Sequence, residues 1–323
     1  MTAERLAHVY GPVASRRLGR SLGVDLVPFK TCTYDCIYCQ LGRTTNQTLR
    51  LDEYVPVDDL VAELEQKLAA PPRPDYVSLA GAGEPTLHAR IGEVIHRIKG
   101  LTAVPVAVLT NGSLLWSRSV QESLLEADLL LPSLDAGDAG RFQQVNRPHP
   151  HINFETMVNG LAEFTQRFRK PVWLEVLLVD GLTGTPAEVA RIAALVRKIA
   201  PTKVQLNTVS RPPCEEYARP VPPERLAALA NLFDPPAEVI SEAFLASGPG
   251  IPAAEVPDAE ILSLIRIRPC TAEAVAAGLG LHVHESAKRL AALVDRGAAV
   301  AVRRNESLFY ETPRSSTGRR SAP

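Results

Sequence analysis

The sequence lacks the long apolar segments that membrane insertion requires. It contains no uncharged apolar run of roughly 18 residues, and its first residues, MTAERLAHVYGP, have no apolar core of a signal peptide. It also lacks a charge excess, because 35 Lys and Arg oppose 36 Asp and Glu. The balance excludes a chain-wide coat for nucleic acid but leaves room for a local basic patch. We therefore expect a cytoplasmic protein without a membrane partner.

Cysteine is scarce, with five residues in 323, and the odd number argues against a disulfide framework in a reducing compartment. Three of the five nevertheless lie together, at Cys32, Cys36 and Cys39 in the stretch CTYDCIYC. Such close spacing of thiols indicates a metal or redox site rather than chance.

The remaining composition is that of a globular protein, with 46% apolar and 22% charged residues. Apolar runs rich in β-branched residues predict six strands, at residues 21–29, 75–80, 104–110, 127–133, 172–179 and 203–209. Helical spacing predicts helices between them, at residues 57–70, 87–99, 114–126, 154–168 and 186–199. This alternation predicts an α/β fold with a parallel sheet, either a partial (β/α)6 barrel or a doubly wound sheet.

Polar residues follow the predicted strands at the point where each strand ends. The cysteine stretch follows the first strand, GAGEP (81–85) follows the second, TNG (110–112) ends the third and SLD (133–135) ends the fourth. The carboxyl ends of parallel strands meet at one edge of the sheet, where ligands bind in such folds. We therefore expect one site built from these four segments.

The amino-acid composition of the chain changes after about residue 210. Proline-rich segments predict an extension and linker over residues 211–256, after a core domain of residues 1–210. Residues 257–312 predict three short helices and a hairpin, the order of a winged helix-turn-helix, and residues 313–323 predict a disordered tail.

The cysteine trio fits three interpretations. A structural zinc site needs a fourth ligand, and neither His8, His88, Cys214 nor Cys270 has a recognisable spacing to the trio. Three buried thiols without a metal would be unusual at this spacing. A four-iron cluster held by three cysteines leaves one iron open to bind a substrate or cofactor.

CxxxCxxC with an aromatic residue before the last cysteine resembles the signature of the radical S-adenosylmethionine superfamily. The resemblance covers about residues 10–210 and implies a [4Fe-4S] cluster on Cys32, Cys36 and Cys39. Its open iron would bind S-adenosylmethionine, which the reduced cluster cleaves to a 5′-deoxyadenosyl radical. It also implies a reductant such as flavodoxin or ferredoxin as a partner.

The resemblance implies further contacts to the cofactor. GAGEP resembles the Gly-Gly-Glu-Pro turn that meets the methionine ammonium, with Ala82 in place of one glycine. Tyr38 resembles the aromatic residue near the adenine, and polar strand ends would face the ribose or the carboxylate. The implied cofactor-binding residues are Tyr38, Gly83, Glu84, Asn111, Ser133 and Asp135.

Other polar residues suggest where a substrate binds. Glu175 and Asn207 interrupt apolar strands and each need a partner. Arg147 could hold a carboxylate or phosphate by its forked donors, or lie in a solvated turn. The opening YGPVASRRLGRSLG resembles that of a branch related to the tRNA wyosine synthases, in which three arginines would meet a polyanion or the cofactor carboxylate: Arg16, Arg17 and Arg20.

The sequence thus predicts a radical enzyme that abstracts a hydrogen from RNA or from a protein or peptide. The alternative is a non-catalytic iron-sulfur redox sensor whose winged helix binds DNA. Seven basic and seven acidic residues between 257 and 312 leave that unit neutral. Binding to a nucleic acid would then require a segregated stripe, which Lys288, Arg289, Arg303 and Arg304 could form.

Overall fold

The structure, a computed structural model, describes residues 8–240, 256–267, 269–304 and 307–313. The chain divides into two compact units, residues 1–244 and residues 245–323. The boundaries predicted at residues 210 and 256 stay predictions. None of the helices in the described ranges combines the length and apolar composition needed to cross a bilayer.

The first unit begins with an antiparallel hairpin that the sequence did not predict. Strand β1, Val9–Ser15, pairs with strand β2, Gly19–Val24. Two short strands, β3 (Thr31–Cys32) and β4 (Asn46–Gln47), then pair in parallel; Cys32 ends β3, and Cys36 and Cys39 lie between the two strands in sequence.

Six parallel strands follow one another in chain order, as the alternating pattern predicts. They comprise β2 and five later strands: β5 (Tyr76–Leu79), β6 (Val106–Thr110), β7 (Leu129–Pro132), β8 (Trp173–Leu178) and β9 (Lys203–Thr208). Parallel bridges from Leu130 to Val172 and from Ser133 to Glu175 connect β7 to β8. Strand β10, Glu238–Val239, pairs with β9 at the far edge. This order agrees with the predicted partial barrel.

Seven helices connect the strands of the described first unit: α1 (Val57–Leu68), α2 (Ile91–Leu101), α3 (Arg118–Leu124), α4 (Ala139–Val145), α5 (Phe154–Arg167), α6 (Pro186–Ile199) and α7 (Pro223–Ala230). Helix α2 begins four residues later than expected because Pro85–Leu87 form a 3-10 turn. Helix α3 is shorter than expected because turns occupy residues 112–117, closed by hydrogen bonds such as Leu115 N to Gly112 O.

The two faces of the sheet differ, and strand β8 shows the difference. Leu174, Val176 and Leu178 are buried in the core shared with the helices. Trp173, on the opposite face, packs with residues of β6 and β7 in a separate small cluster, and Glu175 shares this face because side chains alternate. The second face is the interior side of the sheet and carries the polar residues discussed below.

The described residues of the second unit form three helices and a hairpin: α8 (Asp258–Ile267), α9 (Ala272–Leu279), α10 (Val283–Asp295), β11 (Val300–Arg304) and β12 (Ser307–Glu311). Thr271 caps the start of α9, and Gly280 ends that helix in the left-handed conformation. This is the predicted order of elements, and the winged-helix assignment stays a prediction. Residues 241–255 of the predicted extension and linker, and the tail beyond residue 313, lie outside the described residues.

Candidate functional site

The cysteine loop is fixed by backbone hydrogen bonds at both ends. Thr48 N donates to the carbonyl of Cys32 at 3.1 Å, which closes the loop on itself. Ile37 N donates to Val145 O at 3.0 Å, which attaches its middle to the end of α4. The loop follows β2, so the cysteines lie at the carboxyl ends of the parallel strands, as predicted.

Each of the three cysteine sulfurs has a nitrogen donor from a different part of the chain. The pairs are Lys30 Nζ with Cys39 Sγ at 3.2 Å, Asn111 Nδ2 with Cys32 Sγ at 3.6 Å, and Asn146 Nδ2 with Cys36 Sγ at 3.6 Å. Donors of this kind favour the negatively charged thiolate and orient the sulfur lone pairs.

Burial makes these thiols poor anions in the absence of a cation. It raises the pKa of the Cys32 thiol to about 12, with the nearby Glu84 carboxylate adding to the rise. Burial also raises the pKa of the Cys36 thiol, and the neighbouring Cys39 and Cys32 raise it further. A bound metal centre supplies the positive charge that reverses this effect and deprotonates its ligands.

The GAGEP turn packs directly against the residues that precede Cys32. Lys30 N donates to Ala82 O at 2.7 Å, and Glu84 N donates to Thr31 O at 3.1 Å. A Cβ at Gly83 would lie 1.9 Å from the carbonyl oxygen of Thr31. Glycine is therefore required at position 83, whereas Ala82 keeps the backbone carbonyl that the turn uses.

The Glu84 carboxylate is already fully hydrogen-bonded within the protein. Oε1 accepts from the Thr86 backbone N, the Thr86 hydroxyl and the Thr110 hydroxyl at 3.0, 2.6 and 2.6 Å, and Oε2 accepts from Asn111 N at 2.7 Å. Burial raises the pKa of Glu84 despite these donors. Glu84 thus ties the turn after β5 to the end of β6.

Asn111 faces the cysteine loop. Its side-chain amide donates to the Thr33 hydroxyl at 2.8 Å as well as approaching Cys32, and its oxygen accepts from Ser113 N at 2.9 Å. The structure therefore places Asn111 at the sulfurs, where the sequence analysis had assigned it a contact to the cofactor.

Tyr38 and Asp135 lie in one hydrogen-bonded network beside Cys36. The Tyr38 hydroxyl donates to Asp135 Oδ2, Asn146 Nδ2 donates to the same oxygen at 2.9 Å, and Leu177 N donates to Oδ1 at 2.9 Å. Burial raises the pKa of Asp135 to about 6, against the effect of these donors. The two residues are thus held by each other and by Asn146.

Ser133 lies half-buried just after β7, bridged to Glu175 on β8. Glu175 in turn pairs with the Arg17 guanidinium, and Asn207 Nδ2 donates to its other oxygen at 2.9 Å. Burial raises the pKa of Glu175, but Arg17 and Asn207 outweigh it and hold the pKa below its usual value. Arg17 therefore faces the interior side of the sheet, and Glu175 on β8 and Asn207 on β9 are partners of each other.

Arg147 is engaged by the protein rather than free for a substrate anion. It donates to Glu215 at 2.8 Å and to the Tyr217 hydroxyl at 2.9 Å. Glu215 N also donates to Ile37 O at 2.9 Å, so residues 211–218 lie against the cysteine loop. Burial raises the pKa of the Cys214 thiol, and the charges of Asp35, Glu215 and Cys39 add to the rise against the effect of Arg43.

The residues present fit a four-iron cluster better than a single ion. In the described ranges, no three His, Cys, Asp or Glu side chains come together tightly enough to hold one metal ion, so the zinc alternative gains no support. Three thiols on one loop, each with its own nitrogen donor, are the ligand set of a cluster with an open iron. The buried Tyr34 hydroxyl has no hydrogen-bond partner among the described residues. Burial raises its pKa, and the charges of nearby groups, Cys36 and Cys32 among them, raise it further.

The sequence analysis did not assign roles to Lys30, Asn146 or Thr33, of which only Thr33 lies within the cysteine stretch. A lysine placed between apolar residues and a thiol motif is a signal of a paired charge. No local pattern indicates that Asn146, 110 residues beyond Cys36, returns to that sulfur.

Comparison with known proteins agrees with this geometry. A family model described as the Radical SAM superfamily matches residues 26–195. The UPF0026 protein MJ1312 of Methanocaldococcus jannaschii is 31% identical over 227 residues, 70% of each chain. A protein named GTPase Obg from Brachyspira hyodysenteriae is 42% identical over 226 residues, and the chain spans about a third of its length, 33%.

A solved structure shares the fold. A radical SAM methyltransferase from Sphaerobacter thermophilus superimposes with a TM-score of 0.53 at 18% identity, covering 70% of this chain and 68% of that one. The parallel-strand α/β architecture is therefore that of a radical SAM protein, whereas the relation to wyosine synthases stays a prediction. The chain belongs to the radical SAM superfamily, whose members are enzymes that use a [4Fe-4S] cluster and S-adenosylmethionine.

Proposed function

We propose that the protein cleaves S-adenosylmethionine reductively and uses the product radical to remove a hydrogen atom from a substrate. The observation that carries this proposal is the set of three cysteine sulfurs on one fixed loop, each with a nitrogen donor, in a chain of this superfamily. The bound cluster supplies the electron that breaks the carbon-sulfur bond of the cofactor, giving methionine and a 5′-deoxyadenosyl radical.

The chain's own residues hold and orient these groups. Cys32, Cys36 and Cys39 would ligate three irons. Because the Glu84 carboxylate is occupied by four protein donors, we expect the backbone carbonyls of the GAGEP turn to meet the methionine ammonium, with Glu84 fixing the turn. The ring of Tyr38, held by its hydrogen bonds, would form the wall of the site next to the adenine.

The remaining predicted contacts to the cofactor are proposed from their positions. Ser133 and Asp135 follow β7 at the same edge of the sheet as the cysteines. Asp135 is oriented by Leu177 N and by Asn146, so we propose that it acts mainly by fixing Tyr38. Ser133 remains a candidate contact to the ribose or carboxylate.

The charges of the second unit favour a protein or peptide substrate over RNA. Arg289, one of the four residues of the predicted basic stripe, pairs with Asp258 and donates to Val256 O at 2.6 Å. Its guanidinium is therefore engaged inside the unit. A neutral module whose stripe is interrupted has little affinity for phosphates.

The test is anaerobic reconstitution of the full chain with iron and sulfide, followed by reduction with dithionite in the presence of S-adenosylmethionine. We expect about four irons per chain and release of 5′-deoxyadenosine. Cys36→Ala should lose the cluster and the product together, whereas Cys270→Ala, a cysteine of the second unit, should keep both. Intact cofactor after reduction of a fully loaded wild-type protein would refute the proposal.

A further inference from the structure

Lys30 is a buried cation directed at the cysteine loop. Its side chain belongs to a residue that is 3% exposed, and its ammonium lies 3.2 Å from Cys39 Sγ. No carboxylate of the described residues forms a salt bridge with it. A buried charge requires a partner, and the group that the ammonium contacts is Cys39 Sγ, with the field of the Asp35 carboxylate acting on it from farther away.

The backbone holds this lysine in place from both sides. Lys30 has a φ of 60°, which is unusual for a residue with a side chain, and its N–H donates to Ala82 O at 2.7 Å. Its carbonyl accepts from Thr45 N and Asn46 N, at 3.2 and 3.1 Å. A left-handed backbone that costs free energy at a buried lysine indicates a positional requirement.

The three nitrogen donors to the sulfurs differ in charge. Asn111 and Asn146 contribute neutral amide dipoles to Cys32 and Cys36, whereas Lys30 contributes a full positive charge at Cys39. Reduction adds one negative charge to a cluster that three thiolates already make anionic. A cation fixed at hydrogen-bond distance in a buried site stabilises the more negative state most strongly.

We propose that Lys30 sets the reduction potential of the cluster, raising it so that a one-electron donor can reduce the cluster before the cofactor is cleaved. The step transfers one electron from an external low-potential donor, such as a reduced ferredoxin or flavodoxin, and breaks no bond. The inference rests on the proposed function only in assuming a cluster on the three cysteines. Lys30 acts through Cys39 and is therefore a positioning residue rather than a catalytic one.

The experiment compares three variants of the reconstituted full chain. Lys30→Met removes the charge and the donor, Lys30→Gln removes the charge but keeps an N–H donor, and Lys30→Arg keeps both. Lys198→Met is the matched control, because this exposed lysine on α6 bonds only Asn159 among the described residues. Each protein is assayed for iron and sulfide content, and its midpoint potential is measured by dithionite titration followed by electron paramagnetic resonance.

We expect the Met and Gln variants to bind as much iron as the wild type. Their equilibrium constant for cluster reduction should be at least tenfold lower, which corresponds to a fall in midpoint potential of about 59 mV for one electron. The Arg variant and the Lys198 control should stay within threefold of wild type. Unchanged potentials in iron-loaded Met or Gln variants would overturn the inference. So would loss of iron from both neutral variants, since that result assigns Lys30 to assembly. A wild-type protein without iron would instead refute the proposed function.

Discussion

At the scale of single residues, the least room in the site is at Gly83. A Cβ there would meet the backbone carbonyl of Thr31 at 1.9 Å and the Val27 side chain at 2.8 Å. The obstructing backbone is the strand that carries Cys32, so any relief of the clash displaces a proposed ligand. The glycine is fixed by the close approach of two backbones, since its φ lies outside the left-handed range.

Gly83→Ala should therefore both destabilise the first unit, by roughly 1–3 kcal/mol, and lower iron binding. Gly100→Ala is the matched control, because a Cβ at Gly100 meets nothing within 4 Å and the residue lies in helix α2. The control should be more stable by roughly 0.5–1 kcal/mol. Denaturant unfolding and iron content after reconstitution measure both effects. A Gly83→Ala protein with full iron content and unchanged stability would contradict the clash.

The sequence identifies the three candidate ligands but not the residues that surround them. Cys32, Cys36 and Cys39 lie within a stretch of eight residues, so a local motif identifies them. The donors Asn111 and Asn146 reach the same sulfurs across 79 and 110 residues, which only the folded chain reveals. The resemblance to the superfamily assigned Asn111 a contact to the cofactor. Its contact to Cys32 could not be inferred from its position at the end of a strand.

At the scale of elements, the hairpin of β1 and β2 positions Arg17 in the interior of the sheet. The sequence did not predict β1 because Gly11 and Pro12 interrupt its apolar alternation, and the pairing shifts register there. The six parallel strands were predicted, because near-continuous apolar runs are typical of strands covered on both faces. The hairpin adds an antiparallel edge to that sheet and directs Arg17 toward Glu175.

Arg17→Met should destabilise the first unit by roughly 1–3 kcal/mol, because it leaves the buried Glu175 carboxylate with only part of its hydrogen bonds. Adding Glu175→Gln should recover part of the loss, since the neutral amide needs no cation. Arg20→Met, on the same hairpin, is the control: its pair with Asp75 is half-exposed, so we expect less than about 1 kcal/mol. Urea unfolding of all four proteins gives the comparison. If Arg17→Met and Arg20→Met lower the free energy of unfolding equally, the interior pair stabilises the protein no more than the exposed pair does.

At the scale of the whole molecule, the chain consists of two compact units that differ in chemistry. The first contains the cysteine loop and the cofactor-binding candidates. The second is fixed by a carboxylate shared between two arginines, since Asp258 at the start of α8 pairs with Arg289 and with Arg296. The boundaries predicted at residues 210 and 256 stay predictions, and the pairing of Arg289 inside the second unit could not be inferred from a count of charges.

The Asp258 pairs make the stability of the second unit depend on pH. Arg296 and Arg289 lower the pKa of Asp258, so its contribution is fully present above the unfolded value of about 3.9 and is lost as the pH falls through the lower folded value. Asp258→Asn should therefore speed amide exchange in α8 and α10 at pH 7 and have little effect near pH 2. Glu273→Gln, at the exposed start of α9, is the control and should change exchange little at either pH. Equal exchange of wild type and Asp258→Asn at pH 7 would refute this role.

The contact between Arg17 and Glu175 joins positions 158 residues apart, and Asn207 completes it from farther along the chain. The ribosome synthesises the hairpin before β8 and β9, so Arg17 has no partner at Glu175 until most of the first unit has been translated. Contacts of such separation are made late and slowly. The nascent hairpin should therefore remain accessible to chaperones until β9 has left the exit tunnel. A chain truncated before β9 should lack the Asn207 part of this contact, so its hairpin should be less stable.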